Sequence, residues 1–170
     1  MPETGFKVSV VICGYSFERF NDILEAVDSA LGQTLPPHQV VVSIDHNLEL
    51  LDQLKARLPA SVELAFNNGP KGLSETRNAG IRVANGDIIA FIDDDAVAEK
   101  DWLEKLCLPF DNRKVFAAGG KSIPQWLDKS RPDWFPEELD WIIGCTYKGM
   151  PVKGNITRNP LGCNMAFRRQ

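Results

Sequence analysis

The stretch Ile88-Ile89-Ala90-Phe91-Ile92-Asp93-Asp94-Asp95 runs five apolar residues straight into three carboxylates. Five apolar positions without alternation leave no face for water, so the run reads as a strand buried on both sides, as in a parallel sheet with helices over each face. Upstream the same unit recurs. Val8 to Cys13 is a β-branched run broken by Gly14, and Phe17, Phe20, Ile23, Leu24, Val27 and Leu31 follow at helical spacing. Gly32 and Pro36-Pro37 stop that helix. Val40 to Ile44 makes a second strand ending at Asp45, and Leu48, Leu51, Leu54 and Leu58 predict a second helix closed by Pro59. Val62 to Phe66 is a third strand, and Asn67 to Gly72 is a loop by composition. A third helix is expected from a cap at Ser74 to Asn85-Gly86.

Downstream, a helix is expected around Asp101 to Leu108 and strands around Val115 to Gly119 and Leu161 to Phe167. Between them, residues 121–160 hold Trp126, Trp134 and Trp141 with Pro124, Pro132, Pro136, Pro151 and Pro160, and show no period. Irregular segments of that length are usually covers or binding loops. The tryptophans could line a sugar or acceptor site or fill contacts beneath the loop. The alternation of strands and helices gives an α/β class: a Rossmann-like, mostly parallel sheet flanked by helices, with this Trp/Pro-rich segment attached, in one domain over 1–170.

With 170 residues, 44% hydrophobic and 25% charged, the chain is long enough for a real core, which excludes disordered and repeat architectures. Its net charge of −4, with no basic run longer than Arg168-Arg169, argues against nucleic acid as a partner. No stretch approaches the roughly 18 apolar residues of a membrane span, and the N-terminus has no signal-like segment, so the expected location is cytoplasmic. Cys13, Cys107, Cys145 and Cys163 are widely spaced without a C-x-x-C pair and read as free thiols. His38 and His46 lack neighbours that would complete a metal-ligand set. Gly69-Pro70-Lys71-Gly72 lacks the spacing of a phosphate loop, and Asn155-Ile156-Thr157 reads as a chance glycosylation sequon.

In an open parallel sheet, ligands bind beyond the carboxyl ends of the strands. Strand one ends at Cys13-Gly14-Tyr15, strand two at Asp45 and strand four at the aspartate triplet. Adjacent carboxylates repel by about 4 kcal/mol per pair at roughly 4 Å and an effective dielectric near 20. A divalent cation removes that cost, and carboxylates supplemented by substrate phosphates suit Mg²⁺ or Mn²⁺. If the strand persisted through the triplet, its two-residue period would put Asp93 and Asp95 on one face and Asp94 on the other. The bland reading is a solvated turn capping the next helix.

The same residues resemble family 2 glycosyltransferases of the GT-A fold. Arg77-Asn78-Ala79-Gly80-Ile81, then Ala84-Asn85-Gly86-Asp87 leading into Ile88 to Asp95, then Asp101-Trp102-Leu103, follow that family's nucleotide-sugar half, including its DXD motif. Ser9 to Tyr15 resembles its first strand, with Cys13-Gly14 where Pro-Thr is commoner; Val40 to Asn47 resembles its second, and Gly162 to Arg169 its "G-x-N-M-A-F-R-R" strand. The resemblance implies that Tyr15 stacks near a uracil and Asp45 accepts from its N3. It implies Arg77 at the nucleotide or diphosphate, Asp93 and Asp94 on the nucleotide side, and Asp95 with Asp93 at a Mg²⁺ or Mn²⁺. It further implies metal-dependent transfer, with inversion, from a nucleoside-diphosphate sugar, expected to be a UDP-sugar, to a saccharide or lipid-linked acceptor. Such chemistry serves polysaccharide biosynthesis, and it is compatible with a peripheral position at a membrane.

Family members carry a further acidic residue beyond the "N-M-A-F-R-R" strand as general base. The sequence stops at Gln170, so the catalytic base is expected beyond it, and the chain reads as a donor-binding portion with little transfer activity alone. Glu137-Glu138, upstream, is not assigned that role. The alternative is a nucleotide-sugar-binding module without transfer. A phosphoryl-accepting receiver-like domain and a nucleotidyltransferase fit less well: the first needs an aspartate after an early strand and the second a basic Gly-rich loop after strand one. Strand one here ends in Cys-Gly-Tyr.

Overall fold

The computed structural model describes residues 5–126, 130–150 and 159–169. Strands β1 (Val8–Gly14), β2 (Gln39–Asp45), β3 (Val62–Asn67) and β4 (Ile88–Asp93) pair in parallel, in the spatial order β3-β2-β1-β4. Then β6 (Asn164–Arg168) adds antiparallel to β4, and the short β5 (Ala117–Gly119) antiparallel to β6 at the edge. The helices are α1 (Phe20–Leu31), α2 (Leu48–Arg57), α3 (Leu73–Val83) and α4 (Trp102–Cys107).

Period-two alternation sorts the strand residues onto two faces. Val8, Val10, Ile12, Val40, Val42, Ile88, Ala90 and Ile92 pack with Ile23 and Val27 of α1, Leu50 and Leu54 of α2 and Leu103 of α4. Val11, Val41, Ile89 and Phe91 face the other way, against Ile81 and Val83 of α3. Both faces of the central strands are buried, hence the apolar run of β4 and the mostly apolar β1 and β2, whose buried Ser9 and Ser43 hydroxyls donate to Gln39 Oε1 and the Thr76 carbonyl. Gly80 lets α3 sit close on the sheet: a Cβ there would lie 2.5 Å from Val11 Cγ1. Asn47 caps α2 by accepting from the Leu50 N–H at 2.9 Å.

From β1 the chain steps outward to β2 and β3, then crosses back to β4 on the other side of β1. The carboxyl ends of β1 and β4 therefore flank the sheet's switch point, the edge where such sheets bind ligands. Cys13 and Asp93 are register partners across it, and Asp45 lies at the same edge on β2.

Several boundaries differ from expectation. The third helix opens at Leu73, not at Ser74: Gly72 is its N-cap and supplies no side-chain cap. Gly72 has φ +127°, a conformation that favours glycine, so backbone geometry rather than a serine hydroxyl starts the helix. The strand expected at Val115 to Gly119 pairs only from Ala117, and the one expected from Leu161 pairs only from Asn164. Within 121–160 the described part holds a 3-10 turn at Glu137–Ile143. Pro151 and the Asn155-Ile156-Thr157 sequon lie outside the described residues. All four cysteines are free thiols. No helix among the described residues is long and apolar enough to cross a membrane.

Candidate functional site

Tyr15 follows β1 directly and is 64% exposed. Its backbone carbonyl accepts from Asn47 Nδ2 at 3.1 Å, which ties the end of β1 to the start of α2. Asp45 is half-buried at the end of β2. Asn67 Nδ2 donates to its Oδ1 at 2.7 Å and the Gly72 N–H to its Oδ2 at 3.0 Å. Asn67 also donates to the Pro70 carbonyl at 2.9 Å, and His46 Nε2 lies 2.6 Å from the Gly69 carbonyl. His46 has φ +51°, the only non-glycine residue in the left-handed region among those described. Asn67 and His46 thus fasten the 67–72 loop beside Asp45.

Arg77 projects from α3 towards the carboxyl end of β4. Its Nη2 lies 3.3 Å from Asp93 Oδ1 and donates to the Gly162 carbonyl at 3.0 Å, while the guanidinium sits 5.6 Å from the Phe91 ring centroid. The arginine therefore joins β4 to the segment entering β6. A second anchor of that segment is Asn164, which accepts from Trp102 Nε1 at 2.9 Å and donates to the Lys121 carbonyl at 2.9 Å.

The aspartate triplet departs from strand geometry after its first member. The strand stops at Asp93, and a turn follows in which the Ala96 N–H reaches the Asp93 carbonyl at 3.2 Å. Asp93 faces Arg77. Asp94 and Asp95 both face Arg19, whose Nη1 lies 3.8 Å from Asp94 Oδ1 and 2.5 Å from Asp95 Oδ2. The turn ends the strand period at Asp93, so that period no longer assigns Asp95 a face; Asp95 instead meets Arg19 from the 3-10 turn before α1.

Burial pushes the Asp93 carboxyl above the usual range, against the pull of Arg77. For Asp94, burial is again the main cause and raises the pKa to about 6; Arg19 opposes the rise, and Asp95 and Asp93 add to it. Asp94 Oδ2 is buried without a hydrogen-bond partner. Cys13, beside Asp93, is raised to about 12 by burial, so its thiol stays protonated and unreactive.

These carboxylates fit a divalent cation that takes part of its shell from phosphate oxygens. A buried carboxylate oxygen without a donor, in a triplet of carboxylates faced by only two arginines, is the chemistry such a cation satisfies. No group of three or more His, Cys, Asp or Glu side chains converges on a cation position among the described residues. Asp95, with Asp93 or Asp94, would hold it only together with a ligand.

Arg19 and Asn67 were not expected as site residues. Asn67 was legible: it is the register partner of Asp45, so the strand-end rule that selects Asp45 selects it too. Arg19 carries no such signal, because its pairing depends on how the 3-10 turn Phe17–Arg19 docks against the far end of β4. Glu138 is paired with Lys148 at 3.0 Å, which holds its carboxyl below the usual range, opposite to what a base poised near neutrality needs. Trp126 packs edge-on against Phe135 under the Arg131 guanidinium, whereas Trp134 and Trp141 are exposed.

The model of the family described as "Glycosyl transferase family 2" matches residues 9–170. The chain belongs to glycosyl transferase family 2. Among its relatives is the glucosyl-dolichyl phosphate glucuronosyltransferase of Haloferax volcanii, 39% identical over 96% of this chain and 53% of the relative. Another is the poly(ribitol-phosphate) beta-glucosyltransferase of Bacillus spizizenii, 29% identical over 91% of this chain and 22% of the relative. The chain thus spans about half, or less, of the curated relatives it matches. Its fold matches the mannosyltransferase PcManGT of Pyrobaculum calidifontis, solved in complex with GDP-Man and Mn²⁺. The TM-score is 0.70 at 20% identity, over 99% of this chain and 46% of that one. The family 2 sheet and its switch-point edge are therefore the frame in which Asp45, Arg77 and the triplet sit.

Proposed function

We propose that this chain forms the donor half of a family 2 glycosyltransferase, binding a nucleoside-diphosphate sugar, specifically a UDP-sugar, at the carboxyl ends of β1, β2 and β4. The observation that carries the reading is the meeting, at one sheet edge, of a loop-braced Asp45, Arg77 from α3 and the carboxylate triplet. Family membership raises this above a general α/β nucleotide site.

Tyr15 offers an aromatic face for the base. Asp45, fixed by Asn67 and Gly72, keeps free lone pairs to accept from a base N–H, and uracil presents one such donor at N3. Arg77 offers a planar fork to the diphosphate and keeps it beside Asp93. A divalent cation bound with Asp95 would neutralise charge developing on the departing nucleoside diphosphate. In the transfer, the acceptor hydroxyl oxygen forms the new bond to the anomeric carbon while the bond to the diphosphate oxygen breaks and that oxygen keeps the electron pair. The hydroxyl proton leaves to a base, and attack from the face opposite the leaving group inverts the anomeric centre. We assign no base among the described residues. A lipid-linked saccharide is the proposed acceptor class, supported by the name of the Haloferax relative.

The test is base selectivity. In calorimetric titrations with Mn²⁺, UDP is expected to bind more tightly than GDP or ADP, and Asp45→Ala is expected to erase the preference. A preference for a purine nucleotide, or selectivity intact in Asp45→Ala, would overturn the assignment of the base site.

A further inference from the structure

Asp94 and Asp95 already hold a cation of this chain's own. Arg19 closes the turn before α1 and reaches across the β1 end to both carboxylates, 2.5 Å from Asp95 and 3.8 Å from Asp94. Its position is not that of Arg77, which is tied to Asp93, the Gly162 carbonyl and the Phe91 ring from the other side of the sheet. The Arg19 side chain is 36% exposed and that of Asp95 51%, so the pair can open into solvent without unpacking the core. Arg19 is also an incomplete partner, because it leaves the buried Asp94 Oδ2 without a donor.

We propose that Arg19 is a resident counter-cation that competes with a divalent cation for Asp94 and Asp95, so that the cation binds the empty protein weakly and binds well only together with a nucleoside diphosphate. This rests on the donor-site reading above. Without the nucleotide, a cation must displace the guanidinium and leave it unpaired. With a diphosphate at this edge of the sheet, Arg19 gains a second anion to bond, and the cation gains phosphate oxygens. Each ligand then favours the other by the same factor, as linkage requires.

The experiment is a Mn²⁺ titration followed by the electron paramagnetic resonance of free Mn²⁺, with and without UDP. It compares the parent chain with Arg19→Gln, Arg19→Lys and Asp95→Asn, each checked for folding by circular dichroism. Arg19→Gln is expected to bind Mn²⁺ about fivefold more tightly without UDP, the scale of one partly exposed ion pair, and to show a smaller gain on adding UDP. Arg19→Lys keeps the charge and should stay near the parent. Asp95→Asn should weaken Mn²⁺ binding in both conditions. If Arg19→Gln leaves nucleotide-free affinity unchanged or lower while Asp95→Asn loses it, the competition is wrong and the cation site stands. The competition is equally wrong if Arg19→Lys tightens binding as much as Arg19→Gln. If Asp95→Asn binds like the parent, or the parent binds no Mn²⁺ even with UDP, the cation reading fails and the role of Arg19 falls with it.

Discussion

Asp94 is the residue at which the site opposes the stability of the fold. Its carboxyl is raised to about 6 by burial, whereas in an unfolded chain it would titrate near 4. Between those values the folded state binds the extra proton, so stability falls as pH rises through the window and stays lower above it. Asp94→Asn removes the ionisation. The variant should match the parent near pH 4 and exceed it by roughly 1–3 kcal/mol at pH 7, since one unit is worth about 1.4 kcal/mol. Urea unfolding at a series of pH values reads this directly, and parallel profiles for the two proteins would refute it. A buried carboxylate kept at such cost is what a charge-binding site looks like.

At the level of elements, the braces around the proposed site carry the tests. Asn67 joins β3 to Asp45 and to the Pro70 carbonyl, so Asn67→Ala strands two acceptors and should destabilise the chain by about 1–3 kcal/mol. It should also weaken UDP binding, because Asp45 loses its fixed orientation; unchanged affinity would show that the brace is structural only. On the opposite face, Gly80→Ala would drive a methyl onto Val11 Cγ1, a fully buried, stiff side chain. The overpacking should outweigh the gain in helix propensity, for a net loss of about 1–2 kcal/mol in denaturant unfolding. Equal or higher stability would mean that α3 lifts from the sheet without cost. The main strands and helices were legible because their patterns are simple: β4 as an unbroken apolar run, β1 and β2 as apolar runs with one serine each, α1 and α2 as helical repeats of Leu, Ile, Val and Phe. The start of α3 was misread because Gly72, with its positive φ, does the work expected of Ser74. The short reach of β5 was not legible, since its pairing depends on β6, which lies far downstream in the chain.

For the whole molecule, the order β3-β2-β1-β4-β6-β5 brings the proposed site residues, scattered from Tyr15 to Asp95, to one end of the sheet. Asp45 and the triplet could be picked out in sequence because strand ends are readable and their edge follows from parallel pairing, whereas Arg77, on α3, was indicated only by the family resemblance. The facing of Asp95 could not, because a turn rather than a strand carries it, and Arg19 escaped because its ion pair exists only once α1 is docked. The 121–160 segment gave no period, and its Arg131–Asp140 pair, with bonds of 2.7 and 2.8 Å, is visible only in three dimensions. The most direct test of the whole arrangement is calorimetric titration of UDP into the chain, once with Mn²⁺ and once with a chelator, beside Asp95→Ala. UDP should bind in both conditions, about tenfold or more tightly with Mn²⁺, and Asp95→Ala should lose the difference. No detectable UDP binding, or the same affinity with Mn²⁺ as with chelator, would contradict the assignment of this edge as a cation-assisted nucleotide-sugar site.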